Sequence, residues 1–515
     1  MKAFMIIAVL LLASCIAVPD PDDPPDVPDD SDMDFPTQSG TLWHPHLEWE
    51  ITNPSYSGNP FDVIADVTFT HSESGEQITT QMFYDGGDMW RFRFSGTRTG
   101  EWSFVTSSAD ADLDGLRGYA LIDENPDPSA RGFLLAHDGR FAVQTGEDDI
   151  AGTLYNVYMN HAFAERLNEY SSDENELAMQ VDELLSEVEA HGFDALFVII
   201  ANNWFEYGEL RHDRHSSENP SLDSFRILET IILAAQERGL FVHIWAWGDE
   251  QRRWTQIGVG GINGEPDKRL QRYIAARLGA LPGWTMSYAF DLGEWVEPNE
   301  VREWHAYLHE HFGWPRLLMA RETEEGKTHH VFELGDDKLD VFSNDERPSR
   351  DFYDTAVSLL DSVDIPVISE RRFLHTRDDV WDMDTTRQAL WQFTMAGGKG
   401  AIWGVMWDDG PPYPTPEQLR IHGQFWNDRF RLDFERANDL TDGYALRSAD
   451  NRRFVFYNED TDEIRLDLSA MAGARSAIAV DTKADAYEEI SLGTLDANDH
   501  VWNAPYRSDW AIAVG

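Results

Sequence analysis

The chain has 515 residues, which at about 150 residues per domain predicts three or four folding units. Its 41 Lys and Arg against 93 Asp and Glu give a formal charge of −52, which argues against nucleic acid as a partner, because duplex binding relies on basic side chains neutralising phosphates. A hydrophobic share of 42% excludes wholesale disorder, and the single cysteine, Cys15, excludes a disulfide framework and a thiolate metal centre.

Lys2 precedes an apolar run from Ala3 to Ala13. That run is too short to cross a bilayer, which takes about 20 residues, but suits the core of a signal peptide. It ends in Leu12-Ala13-Ser14-Cys15, which resembles a bacterial lipobox. The resemblance implies cleavage before Cys15 and lipid attachment to it, with Ile16 rather than Asp implying the outer membrane. Residues 1–15 are therefore expected to be a lipoprotein signal peptide. Residues 16–39 are dominated by Asp and Pro, such as Asp22-Asp23-Pro24-Pro25, and predict an extended, solvated linker.

Residues 40–130 read as β-structure, with alternating runs such as Phe61–Thr70 between Gly and Asn-Pro breaks. Trp49, Tyr56, Asn59-Pro60-Phe61, Phe83-Tyr84-Asp85-Gly86, Trp90-Arg91-Phe92-Arg93-Phe94 and Gly100-Glu101-Trp102 resemble a β-sandwich family that precedes catalytic barrels in bacterial polysaccharide hydrolases. Its rings are expected to form the core and the junction with the next domain.

Residues 131–430 alternate short apolar strands with helical stretches, the signature of βαβ units. The predicted strands are Phe141–Thr145, Asp194–Ile200, Phe241–Trp247, Thr285–Leu292, Leu317–Ala320, Val341–Ser343, Pro366–Ser369 and Ala401–Trp407. Helical periods fall at Glu176–Ala190, Ser224–Arg238, Glu300–His311, Arg350–Val363 and Thr385–Ala396. Eight strands in about 300 residues predict a (β/α)8 TIM barrel. A doubly wound sheet is the alternative, weakened because no Gly-rich dinucleotide loop follows the first strand. Residues 431–515 again alternate, as in Phe454-Val455-Phe456-Tyr457, and predict a C-terminal β-sandwich. The whole arrangement resembles the multidomain bacterial glycoside hydrolases with an apiosidase-like barrel.

Barrel enzymes carry their chemistry at the C-terminal ends of the strands. Glu294 follows the fourth predicted strand and Glu370 the seventh, the positions of the proton donor and the nucleophile in the glycoside hydrolase clan A that the pattern resembles. Carried over, Glu294 is the acid/base and Glu370 the nucleophile. A separation of about 5–5.5 Å would mean retention of configuration. Arg371 or Arg372 is expected to keep Glu370 ionised, and apolar Phe290 and Trp295 to raise the pKa of Glu294. The clan commonly places Asn before the strand-four Glu, whereas this chain has Gly293, so that contact is expected to be absent or to come from elsewhere, with Asn202 or Asn203 the candidates. Glu206, Asp249, Asp291, Glu322 and Glu346 are the alternatives if the strand count is off. Trp204, Trp245, Trp247, Trp295, Trp403 and Trp407 fall near strand ends and are candidate sugar platforms, with barrel core the other reading of Trp403 and Trp407.

Cations gather after the strands: Arg211, Arg214 and His215 after the second, Arg252 and Arg253 after the third, and Arg321 after the fifth. Arg371, Arg372, His375 and Arg377 follow the seventh. The Arg fork suits sulfate or carboxylate, so the expected substrate is an anionic polysaccharide or oligosaccharide, a sulfated algal galactan for preference. Ion pairs with the abundant acids are the other reading of these arginines. The acidic composition fits a saline, marine habitat. His212 with His215, and His329 with His330, lack a third ligand at a recognisable spacing, so no catalytic metal and no cofactor is expected, while the plentiful Asp leaves a structural calcium open. The sequence thus predicts an exported, lipid-anchored hydrolase facing the periplasm or cell surface. A non-catalytic glycan-binding lipoprotein and a polysaccharide lyase are the rival readings.

Overall fold

The computed structural model describes residues 34–160, 167, 170–205, 218–247, 260–289, 292, 296–321, 339–344, 352–374, 382–398, 400–405 and 413–515, with the side chains of 201, 202, 344, 370–374 and 405 outside the description. No helix among them is long and apolar enough to cross a membrane.

The N-terminal unit holds β1 (Gln38–Thr41), β2 (Leu47–Thr52), β3 (Ala65–His71), β4 (Gln77–Gln81), β5 (Phe83–Tyr84), β6 (Met89–Phe94), β7 (Gly100–Ser108) and β8 (Arg117–Asp123). They form a five-stranded sheet, β1-β8-β7-β3-β4, and a three-stranded sheet, β2-β6-β5. Alternate residues of β3 are buried, as the period of two requires. Trp49 stacks on Phe92 at 5.2 Å and Phe69 on Phe94 at 4.2 Å, so the aromatic residues form a core shared by both sheets. The strand expected from Phe61 begins only at Ala65. Pro60–Asp62 is instead a 3-10 turn, because the Asn59 side chain accepts the Phe61 N–H and Pro60 lacks a donor for a ladder.

A second departure concerns the first predicted barrel strand. Phe141–Thr145 does not enter the barrel sheet. It lies largely within β10 (Arg140–Gln144), the centre of an antiparallel sheet with β9 (Leu134–His137) and β11 (Ile150–Gly152). The cause is Asp138-Gly139 between β9 and β10, with φ of 47° and 72°, the Asp-Gly pair that favours a tight hairpin.

The barrel follows, as β12 (Asn156–Asn160), α1 (Glu174–His191), β13 (Ala195–Ile199), α2 (Leu222–Glu237), β14 (Phe241–Trp245), α3 (Glu265–Leu278), β15 (Trp284–Ser287), α4 (Pro298–His311), β16 (Leu318–Met319), β17 (Phe342–Asn344), α5 (Phe352–Leu360), β18 (Val367–Leu374), α6 (Met383–Met395), β19 (Gly400–Val405) and α7 (Pro416–Trp426). Every strand pairing is parallel, in the order β16-β15-β14-β13-β12-β19-β18-β17, and a bridge between Arg321 and Ser343 joins the two ends. The fold is a (β/α)8 barrel. β12 takes the first place, so β15 is still the fourth strand and β18 the seventh. Helix limits come from local chemistry. Asp173 caps α1 by accepting the N–H of Asn175 and Glu176, Gly192 ends it at φ 66°, and Glu297 with Glu300 forms a capping box on α4.

The C-terminal unit is β20 (Phe434–Arg436), β21 (Tyr444–Ser448), β22 (Phe454–Asp467), β23 (Arg475–Asp481), β24 (Ile490–Leu495) and β25 (Asp499–Val514). The expected sandwich takes the form of one six-stranded antiparallel sheet. β22 and β25 are long enough to lose register near Asn458–Glu463, where Asp460 has φ 46°. Beyond the irregularity, Ile464 and Leu466 share a core with Phe454 and Phe456 of the same strand. The opposite face packs on the barrel, with Tyr457 stacked on Trp391 at 5.1 Å and Arg387 paired with Asp509 at 2.7 Å in full burial.

The N-terminal unit grips the barrel through charge. Arg93 and Arg277 both bind Glu229, at 2.6 and 2.5 Å, and Arg93 also binds Glu48 at 2.7 Å. Glu229 is buried, which opposes its ionisation, yet the two guanidinium groups hold its pKa below the ordinary value.

Candidate active site

Alternation along the parallel strands decides which side chains enter the lumen. Tyr155, Val157, Met159, Phe197, Ile199, Phe241, Trp245, Met319, Val341, Ile368 and Ile402 share the lumen core. At the lower end, Leu134, Phe141 and Val143 of the β9–β11 sheet plug it, and Phe141 stacks on Tyr155 at 4.8 Å. Midway, the Tyr155 hydroxyl lies 2.5 Å from Thr285 Oγ1, which is 3.0 Å from His243 Nδ1.

The upper end is built differently. Ile199, Trp245, Ser287 and Met319 lie side by side across strands two to five. Arg321 extends past Met319, lies 5.6 Å from the Trp245 ring centroid and bridges to Ser343 on the sixth strand. Ladder bonds continue beyond the strands: Ala246 N–H donates to Ser287 O at 2.8 Å, and Tyr288 N–H to Met319 O at 2.8 Å. Of the sequence candidates, Trp245 and Arg321 are the two that these contacts bring together. Ser287 and Ser343 were not among the candidates, though polar residues ending buried parallel strands were a usable signal.

Glu294 lies outside the described residues, in the segment between Ala289, where the fourth strand's bonding ends, and Glu297, the N-cap of α4. Glu370 belongs to β18, where pairing with β19 is irregular between Ser369 and Arg372, and its side chain is outside the description. Such an irregularity is a device that re-aims strand residues beside active sites. Arg371 and Arg372 share that stretch. Arg211, Arg214, His215, Arg252, Arg253, Trp295, His375, Trp407 and Cys15 lie outside the described residues, as do the histidine pairs at 212/215 and 329/330 and the alternative acids Glu206, Asp249, Asp291, Glu322 and Glu346.

Three tryptophans need correction as sugar platforms. Trp204 donates its indole N–H to Ala246 O at 2.6 Å and packs on Phe225, and Trp247 lies beside Phe205. Trp403 points away from the lumen, stacks on Phe193 and donates to Asn156 Oδ1 at 3.1 Å. All three are at most 2% exposed and belong to the layer between strands and helices. Trp245 is lumenal but also fully buried. The Asn203 amide donates to Ile200 O at 3.0 Å, within its own turn, and the side chain of Asn202 is outside the description. A cavity of about 980 Å³ lies at the lower end, lined by Gly192, Asp194, Gly239, Phe241 and Arg420, remote from the strand exits.

No curated protein matches the sequence of this chain. A family model described as "Domain of unknown function (DUF5060)" matches residues 41–109, which span β2 to β7. Among solved structures, a Bacteroides vulgatus protein provisionally assigned as a glycoside hydrolase superposes with a TM-score of 0.70 at 15% identity, covering 93% of this chain and 100% of that one. A family 5 glycoside hydrolase from the same organism superposes at 0.55 with 14% identity, covering 74% and 93%. The likeness is one of fold.

Proposed function

We propose that this chain is a retaining glycoside hydrolase with Glu294 as acid/base and Glu370 as nucleophile. The observation that supports it is strand order. In a closed eight-stranded barrel, Glu294 follows the fourth strand and Glu370 occupies the seventh. Similarity in fold to glycoside hydrolases adds to it. In the first step the Glu370 carboxylate attacks the anomeric carbon while the glycosidic C–O bond breaks and Glu294 gives its proton to the leaving oxygen. In the second, Glu294 takes a proton from water, whose oxygen displaces Glu370.

The substrate read from the sequence is an anionic polysaccharide, a sulfated galactan for preference. The argument is the run of arginines at 211, 214, 252, 253, 371 and 372 in an otherwise acidic chain. Repulsion from the net charge is screened beyond about 8 Å at physiological salt, leaving local Arg forks to decide binding. The expected linker ends earlier than residue 39, because Phe35 packs on Phe92 and Phe104 and β1 begins at Gln38. Cys15 lipidation and residues 16–33 would hold the folded part up to roughly 55 Å from the outer membrane, at about 3.1 Å per extended residue.

The test is a screen of charged and neutral algal polysaccharides, with product NMR to read anomeric configuration. Glu294→Gln and Glu370→Gln should each lower kcat by about 10³-fold or more while leaving binding intact. Release of no reducing ends by the wild type would favour the glycan-binding reading, and ultraviolet-absorbing unsaturated ends would favour a lyase. Equal rates on native and desulfated polymer would remove the sulfate argument.

A further inference from the structure

His305 and His309 stand one turn apart on α4, on the same face of the helix. Both reach toward Asp340, which precedes β17. Nε2 of His305 lies 3.2 Å and Nε2 of His309 2.8 Å from Asp340 Oδ2. One ligand atom from each residue falls within 4.8 Å of the others. A tetrahedral zinc ion with bonds of 2.0–2.2 Å holds its ligand atoms about 3.3 Å apart. The two histidine–aspartate distances are therefore near the spacing that an ion requires, and the two ring nitrogens are within 4.8 Å of each other. Its side chains are 17%, 34% and 24% exposed, which leaves solvent access for a fourth, water ligand.

The position gives the cluster a purpose. Leu318 N–H donates to Asp340 Oδ2 at 2.8 Å, and Asp340 N–H donates to Leu318 O at 3.2 Å. Asp340 is thus the lower stitch between β16 and β17, the two strands joined at their upper end by the Arg321–Ser343 bridge. We propose that His305, His309 and Asp340 form a site for a divalent transition-metal ion, zinc by ligand type, which staples α4 to this seam. Two imidazoles and one carboxylate suit zinc rather than calcium or magnesium, which take oxygen ligands. The site lies at the lower end, so its role is structural and independent of the glutamate chemistry.

The experiment uses the full chain, stripped with a chelator and titrated with zinc chloride by calorimetry and thermal melting. One ion should bind per chain and raise Tm by several degrees, and cobalt(II) should give the visible absorption of a tetrahedral site. His305→Ala with His309→Ala should weaken binding at least 100-fold and abolish the melting response, with the circular dichroism spectrum unchanged. Asp340→Asn is the second variant, since its amide oxygen still accepts the Leu318 N–H while losing the charge. Turnover at low temperature should be equal for stripped and loaded protein. No binding would overturn the site and leave a histidine–aspartate hydrogen-bonded cluster in its place. Undiminished binding in both variants would place the ion elsewhere and overturn it equally, and loss of turnover on stripping would overturn the structural role.

Discussion

The two ends of the barrel are made from the same strands yet filled with opposite materials. The lower end is sealed by a separate three-stranded sheet that inserts Leu134, Phe141 and Val143 beneath Tyr155 and Phe241. At the upper end the lumen layer changes from aliphatic to Ser287, Arg321 and Ser343, with Trp245 beneath the guanidinium group. Packing at one end provides the rigidity on which polar groups at the other can be held without their own apolar support, the division of labour expected of this fold. Substitutions at the two ends should therefore separate stability from the proposed catalysis.

The largest effect is expected at the plug. Phe141→Ala removes a fully buried ring and should cost about 3–5 kcal/mol, read as a fall in the urea midpoint, with kcat at low temperature unchanged. A parallel fall in kcat would mean that the two ends are coupled. Next is Asp194, at the start of β13, whose carboxylate accepts the Asn156 N–H at 2.7 Å. Burial raises its pKa to about 6. Because the folded-state pKa lies above the unfolded value, the stability that this group contributes is complete below about pH 4 and lost as pH rises through 6. Asp194→Asn removes that titration, so the gap between variant and wild type should grow in favour of the variant between pH 4 and 7, by about 1–3 kcal/mol because Asp194 is partly exposed at the lower cavity. A constant gap across this range would mean that Asp194 ionises freely.

The barrel and most of its strands were legible because apolar runs of three to eight residues alternated with helical periods. The first strand was misread because Phe141–Thr145 has the same composition as a barrel strand, and only the Asp138-Gly139 turn marks it as half of a hairpin. Helix α3 went unnamed for a different reason. Its buried face includes Asp267 and Gln271, which bond to each other and to Asn263, and Arg269 and Arg277, which pair with Asp62 of the N-terminal unit and with Glu229 of α2, so periodicity in apolar residues is blurred. At the site, strand order carried the glutamate assignment, whereas tryptophans could not be sorted by position alone. Trp403 is one residue from lumenal Ile402, and that single step turns its ring into the helix layer. The His305–His309 spacing was readable on the predicted helix, but Asp340 joins it only through the fold.

Between the two ends sits the hydrogen-bonded group of Tyr155, Thr285 and His243. Tyr155→Phe keeps the ring against Phe141 and removes the hydroxyl facing Thr285, so it should cost about 1–2 kcal/mol in the urea midpoint and little in kcat. A cost below about 0.5 kcal/mol would mean that the remaining contact with His243 is enough to satisfy Thr285.

The smallest stability effect is expected at the upper end itself. Ser343 is fully buried, and its hydroxyl has no hydrogen-bond partner among the described residues. A buried hydroxyl without a partner costs free energy, so Ser343→Ala should leave the melting temperature unchanged or raise it by an amount equivalent to about 1 kcal/mol or less. If the upper end is the substrate end, the same variant should leave KM unchanged, since a fully buried hydroxyl does not reach a sugar, and a KM raised severalfold would mean that the strand ends open on binding. A variant with unchanged KM and raised stability would make Ser343 a packing residue and move the substrate's contacts outward, to the loops beyond the strand ends.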